Sequence, residues 1–271
     1  MLPRLMTILI VFLLILVGLI LLIKYLERSS IFYPGKLITL TPKQVGIPYE
    51  DVYLTTIDGI KINAWFVKGE PSSSTVIFAH GNAGTMSQRV ARVRFWHELG
   101  LNILMFDYRG YGQSQGEPTE KGVYLDAQAA YDYLLTRAEI DPARILAHGA
   151  SLGGAVVIDL AIHRKLAALI VESSFSSAKD MAKRYYPFIP SFVLGVRFDS
   201  ISKIKKVHVP KLFLHSPQDE VVPLSMGQKL YQAAPFAKSW LSIYGGHNEG
   251  LSTEDVKIKE EFKHFLQRCS L

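Results

Sequence analysis

Gly149-Ala150-Ser151-Leu152-Gly153-Gly154 closes the apolar run Ala143-Arg144-Ile145-Leu146-Ala147-His148 and opens a helix-compatible one. Glycines two places before and two places after a serine permit the sharp strand-to-helix turn that presents a hydroxyl as a nucleophile. Short motifs of this kind also arise by chance. The weight of the reading therefore rests on whether the rest of the chain supplies that serine with a base, an acid and an anion site.

Around the motif, short apolar runs alternate with longer amphipathic ones. Strands are predicted near 75–79, 102–106, 144–147, 168–171, 211–214 and 239–243, with helices near 87–99, 119–137, 152–163, 225–234 and 254–268. Such alternation implies right-handed crossovers and a parallel, doubly wound sheet covered on both faces. Ahead of it, the runs 52–56 and 60–67 flank Asp58-Gly59, a dipeptide suited to a tight hairpin turn. One interval breaks the rhythm. At 175–204 a helical start gives way to Tyr185-Tyr186-Pro187-Phe188-Ile189-Pro190 and then Phe192-Val193-Leu194, and two prolines so close forbid one continuous helix. A compact lid insertion is expected there.

The chain has 271 residues, 49% of them hydrophobic, enough for one globular domain with one core. Residues 5–23 carry no charge and, as a helix, nearly match a hydrocarbon core of about 30 Å. Lys24-Tyr25-Leu26-Glu27-Arg28 offers no small-x-small cleavage site, which favours an uncleaved single-pass signal anchor over a cleaved signal peptide. Arg4 lies on one side of the span and Lys24, Arg28 and Lys36 on the other, so charge does not decide which side holds the domain. The expected organisation is an anchor at 1–28, a juxtamembrane linker at 29–50 and a domain at 51–271. Phe32 and Tyr33 suit either the membrane interface or packing against the domain. A single cysteine, Cys269, excludes an intrachain disulfide and thiolate zinc sites. The net charge of +6 is modest and suggests no nucleic-acid surface; the densest cluster, Lys203, Lys205 and Lys206, reads as a solvated face.

A serine hydroxyl is a poor nucleophile until an imidazole removes its proton, and that imidazole needs a carboxylate to hold its tautomer. In a doubly wound sheet these partners belong in loops just after strands. Two loops qualify: His215-Ser216-Pro217-Gln218-Asp219 after one apolar strand, and Gly245-Gly246-His247-Asn248 after the last. Ser151, Asp219 and His247 then follow the chain order nucleophile, acid, base used by the nucleophile-elbow fold. Of the other histidines, His97, His163 and His264 fall in helical patterns, His208 in a lysine-rich segment, and His80, His148 and His215 at strand ends where they order loops. Glu172 and Glu220 are the rival acids, and Asp107 is expected to brace its loop with Arg109. An oxyanion needs two donors: the N–H of Leu152 at the start of a helix is one, and the turn His80-Gly81-Asn82-Ala83-Gly84 supplies the other, with Asn82 preferred to Ala83.

Taken together, His80-Gly81-Asn82-Ala83-Gly84, Asp107-Tyr108-Arg109-Gly110-Tyr111-Gly112, Gly149 to Gly154, Gln218-Asp219-Glu220-Val221-Val222-Pro223 and Gly245-Gly246-His247-Asn248 resemble the α/β-hydrolase superfamily. Within it the chain is similar to the membrane-anchored Bem-type and depalmitoylase-like serine hydrolases. The resemblance implies an α/β-hydrolase fold with a short lid, hydrolysis of acyl esters or thioesters of small-molecule or lipid substrates, and no metal or organic cofactor. It carries two departures. Ser216 stands where many relatives have a glycine, and the amino-terminal cysteine cluster typical of the depalmitoylases is replaced by an apolar span. A serine peptidase on the same fold is the enzymatic alternative, and a catalytically silent, membrane-tethered binding protein the alternative of another class.

Overall fold

The computed structural model describes residues 2–71, 73–188, 194–249 and 255–271. Its centre is an eight-stranded sheet in the order β10-β9-β8-β7-β4-β6-β3-β2. In chain order these are β2 (Glu50–Thr55), β3 (Lys61–Val67), β4 (Thr75–Ala79), β6 (Asn102–Phe106), β7 (Ile145–Ala150), β8 (Ala168–Glu172), β9 (Lys211–His215) and β10 (Lys238–Ser242). β2 and β3 form the expected hairpin, β3 also runs antiparallel to β6, and every other pairing is parallel. The central strands β4, β6, β7, β8 and β9 are almost wholly buried, as continuous apolar runs covered on both faces must be. The edge strand β2 instead exposes most of its residues, in keeping with its polar sequence.

Helices α2 (Val90–Glu98) and α8 (Val256–Arg268) pack on one face of the sheet through Trp96 and Phe262 among others. The other face receives α3 (Glu120–Leu134), α4 (Leu152–His163) and α7 (Leu224–Ala233). Side-chain caps fix several starts: the Thr119 hydroxyl accepts the Gly122 N–H and the Asp255 carboxylate accepts those of Lys257 and Ile258, each cap worth about 1 kcal/mol. Among its described residues the interval 175–204 holds two short helices, α5 (Ala178–Tyr185) and α6 (Ser200–Ile204). Tyr185, Tyr186 and Phe188 are exposed there. Ile189, Pro190, Phe192 and Val193 of the expected lid, and Glu254 at the expected start of the last helix, lie outside the described residues.

Ahead of the domain, α1 (Leu2–Ile31) is long and apolar enough to cross a membrane and continues past Ile23 until it touches the domain. Glu27 Oε1 accepts the backbone N–H groups of Gly195 (2.8 Å) and Val196 (3.0 Å), and Arg28 pairs with Glu117. Phe32 is buried against Phe198, which settles its role as packing. The chain then enters a short parallel pairing of β1 (Tyr33–Pro34) with β5 (Ala83–Gly84), in which Tyr33 N–H donates to the Asn82 carbonyl at 2.9 Å.

Candidate active site

The strands β4, β7, β8, β9 and β10 are parallel, so the loops after them gather at one edge of the sheet, where a doubly wound fold binds its ligands. Ser151 occupies the one-residue turn between β7 and α4 with φ 55° and ψ −115°. Positive φ in a non-glycine residue costs on the order of 1–3 kcal/mol and persists where the surroundings over-determine it. Here the Ser151 N–H donates to the Glu172 carbonyl (2.8 Å), while its own carbonyl accepts from Ser174 Oγ (2.8 Å) and the Gly154 N–H (3.0 Å). The flanking glycines permit the sharp turn by lacking a side chain. They are there for close approach: a Cβ on Gly149 would fall 2.1 Å from the Gly153 carbonyl oxygen, and one on Gly153 would fall 1.9 Å from that of Ala79.

The turn does not use its serine as a helix cap. Ser151 Oγ lies 2.9 Å from His247 Nε2, and His247 Nδ1 lies 2.8 Å from Asp219 Oδ2. Asp219 is held in turn through Oδ1, which accepts the N–H groups of Val221 (3.0 Å) and Val222 (2.7 Å). Burial pushes this carboxyl's pKa up, but hydrogen bonds from His215, His247 and the Val222 N–H outweigh it and hold the group well below the usual carboxylate range. Asp219 is therefore an ionised acceptor that fixes the proton of His247 on Nδ1 and leaves Nε2 free to take one from Ser151. The three residues are brought together from loops up to 96 residues apart in sequence.

A cleft of about 300 Å³ opens at Ser151 and His247. The N–H groups of Asn82 and Leu152 donate to no protein group among the described residues, and both belong to segments that border this cleft. Leu152 opens α4, where the first amides of a helix have no intrahelical acceptor and the dipole favours negative charge. Asn82 is held by its other atoms: its carbonyl accepts from the Tyr33 N–H and from Tyr111 Oη (2.7 Å), and its side-chain amide donates to the Ile31 carbonyl (3.0 Å). The end of α1 thus buttresses the loop directly.

The rival acids have other partners. Glu172 accepts from Arg92 Nη2 (2.6 Å) and faces His148 Nε2 (2.9 Å). Glu220 accepts the backbone N–H of His247 (3.0 Å), so it holds the His247 loop without a hydrogen bond to the ring nitrogens. The expected bracing of Asp107 by Arg109 is not found: Arg109 pairs with Asp126 and Asp58, while Asp107 accepts the Met86 N–H (2.7 Å) and approaches His80 Nε2 (3.1 Å). Sequence reasoning also missed how the His247 loop is clamped. Ser216 Oγ donates to the Gly245 carbonyl (2.6 Å) and Gln218 Oε1 accepts the Gly245 N–H (2.7 Å). The only sequence signal was the serine in place of a glycine at 216.

Comparison with known proteins agrees with this architecture. A family model described as serine aminopeptidase, S33, matches residues 70–198. The alpha/beta hydrolase domain-containing protein WAV2 of Arabidopsis thaliana is 39% identical over 214 residues, covering 72% of this chain and 70% of that protein. YNL320W, an uncharacterized membrane protein of Saccharomyces cerevisiae, is 33% identical over 218 residues, 77% of each chain. Among solved structures, the Pyrococcus furiosus esterase Pf2001 superposes with a TM-score of 0.72 at 22% identity, over 88% of this chain and 97% of that one, a likeness of fold. The chain belongs to the α/β-hydrolase superfamily, as its motifs led us to expect.

Proposed function

We propose that this α/β hydrolase is a membrane-anchored serine hydrolase that cleaves acyl ester or thioester bonds through an acyl-enzyme on Ser151. His247 Nε2 takes the Ser151 proton as Oγ attacks the acyl carbonyl, and Asp219 stabilises the imidazolium that forms. The Asn82 and Leu152 N–H groups donate to the oxyanion. His247 then gives its proton to the leaving alcohol or thiol, and a water repeats the cycle to release the acid. The observation that carries this reading is the unbroken hydrogen-bonded chain from Ser151 Oγ through His247 to Asp219, at 2.9 and 2.8 Å. Serine in the nucleophile position argues against the carboxylate chemistry of dehalogenases and epoxide hydrolases on this fold.

In this reading 1–28 is the anchor, with 5–23 spanning, 29–50 links it to the domain at 51–271, and 175–204 is the lid. The apolar α1 supports the anchor, as does the description of the yeast relative as a membrane protein. Exposed Tyr185, Tyr186 and Phe188, on the same interval whose Gly195 and Val196 are tied to Glu27 of α1, support substrates with apolar, lipid-like acyl chains. A fluorophosphonate probe should label the wild-type protein at Ser151 and leave Ser151→Ala unlabelled; an unlabelled wild type would reject the reading. Rates on p-nitrophenyl esters of graded length test the lipid-like preference, which activity confined to acetate would remove. Protease accessibility in sealed membranes assigns the side of the domain.

A further inference from the structure

Two guanidinium groups stand in the wall of the cleft into which Ser151 and His247 face. Arg89 ends the single turn of 3-10 helix Met86–Arg89, and Arg92 lies three residues on in α2, so both project to the same side. Among the described residues Glu172 is the one carboxylate lining this cleft, and both of its oxygens are engaged, Oε1 by Arg92 Nη2 at 2.6 Å and Oε2 by His148 Nε2 at 2.9 Å. Arg92 Nη1 is buried and has no hydrogen-bond partner among the described residues. Arg89 makes one long hydrogen bond, Nη2 to the Ala83 carbonyl at 3.4 Å. Its pKa is lowered, first by burial and then by the like charge of Arg92. A half-buried cation beside a second cation, offset by Glu172, whose oxygens Arg92 and His148 already engage, gains when an anion enters.

We propose that Arg89, backed by Arg92, forms an anion subsite, and that the preferred substrate is an ester bearing a carboxylate or phosphate a few bonds from its scissile carbonyl. The claim rests on the reading of Ser151 as nucleophile. Ser151 and both arginines line the same cleft of about 300 Å³, so one small molecule can meet the nucleophile and the arginines together. A guanidinium is suited to the task because its planar fork meets either oxyanion with two parallel hydrogen bonds.

Paired esters test the subsite on both sides of the scissile bond. The acyl arm compares p-nitrophenyl hemisuccinate with p-nitrophenyl pentanoate, and the alcohol arm compares butyryl glycerol 3-phosphate with butyryl glycerol. In at least one arm the wild type should favour the anionic ester in kcat/KM by about tenfold or more, the order expected for a charge-assisted pair. Arg89→Gln should collapse that ratio, and Arg89→Lys, which keeps the charge, should retain part of it. Equal use of both esters in both arms, or a ratio that survives Arg89→Gln, would overturn the proposal. Should turnover of all four esters be slow, the rate of fluorophosphonate labelling gives the answer: inorganic phosphate or succinate should slow labelling of the wild type and not of Arg89→Gln, and absence of protection in the wild type rejects the subsite. Labelling of Ser151 itself reports on the serine hydrolase reading, so the two failures are distinguishable.

Discussion

Two histidine–carboxylate pairs flank Ser151 and are almost identical as pairs: His247 with Asp219 at 2.8 Å and His148 with Glu172 at 2.9 Å. They differ in what the second ring nitrogen meets. Nε2 of His247 reaches Ser151 Oγ at 2.9 Å, whereas Nδ1 of His148 is buried with no hydrogen-bond partner among the described residues. The ring of His148 packs edge-on against Phe78 and Trp96, with centroids 5.0 and 5.6 Å away. Burial lowers its pKa against the opposing pull of Glu172, so it is held neutral. Glu172 is itself pulled down to about 2: burial raises it, and Arg92 and His148 more than compensate. An imidazole beside an acid becomes a general base only when its far nitrogen meets a proton to move. His148 and Glu172 are thus a bracket behind the strand ends, while His247 and Asp219 have the geometry that the proposed proton transfer from Ser151 requires.

Substitution should separate the pairs sharply. Ser151→Ala and His247→Ala should each lower kcat/KM on p-nitrophenyl butyrate by at least about 10⁴-fold, and Asp219→Asn by about 10³- to 10⁴-fold because the imidazole loses its imposed tautomer. Thermal unfolding should change little in Ser151→Ala and His247→Ala by comparison. Ser151→Gly should be more stable than Ser151→Ala by about 1 kcal/mol, since glycine adopts the positive φ of this turn without strain. Steady-state kinetics together with thermal melts check all four variants.

Glu172→Gln should show the reverse pattern. Removing the carboxylate leaves Arg92 without its ion-pair partner, and breaking a buried pair costs about 3–5 kcal/mol. The melting temperature should fall markedly, while kcat/KM on the neutral butyrate ester, measured well below that temperature, should stay within about tenfold of wild type. A loss of activity like that of Asp219→Asn with unchanged stability would exchange the roles of the two pairs.

Acid should act on the same bracket. His148 has a folded pKa below its ordinary 6.5, so the unfolded chain takes up this proton first and stability begins to fall as pH drops below about 6.5. Glu172, at about 2 folded against 4.5 unfolded, extends the loss downward from about 4.5. Both contributions are fully present at neutral pH. Denaturant midpoints followed from about pH 8 down to about pH 3 should therefore decline on the acid side, and in Glu172→Gln the part of the loss below about 4.5 should be missing while the part that begins near 6.5 remains.

What the sequence made legible follows from how local each signal is. The sheet could be read because each central strand is an apolar run bounded by helical patterns, and Ser151, Asp219 and His247, which the fold brings within hydrogen-bond distance of one another, were picked out because each lies in the loop after such a run. Asn82 and Leu152, the donors proposed for the oxyanion, were singled out by the same rule, as residues near the ends of such runs. The true partner of Arg109 was not, because Asp126 lies in α3 and Asp58 in the β2–β3 turn, both distant in sequence. The engagement of Glu172 was hidden likewise, since Arg92 sits on a different helix and His148 on a neighbouring strand whose register fixes the contact. The cationic wall of the cleft follows from that engagement and was equally invisible.

The smallest effects should come from the clamp on the His247 loop, which the His148 pair does not need because its histidine is part of a strand. Glu220 accepts the His247 N–H and Ser216 Oγ donates to the Gly245 carbonyl, so the loop carrying the base is tied to the loop carrying its acid. Glu220→Ala removes the acceptor nearest the base and should lower kcat about tenfold, since small misplacements of a catalytic group are costly. Ser216→Gly removes a tie two residues from His247 and leaves that of Gln218 in place. It should cost about 1 kcal/mol of stability and lower kcat by only a few-fold. If Ser216→Gly instead matched Glu220→Ala in kcat, the loop would move as one unit, and positioning of His247 would depend on the whole clamp rather than on the hydrogen bond to its own backbone.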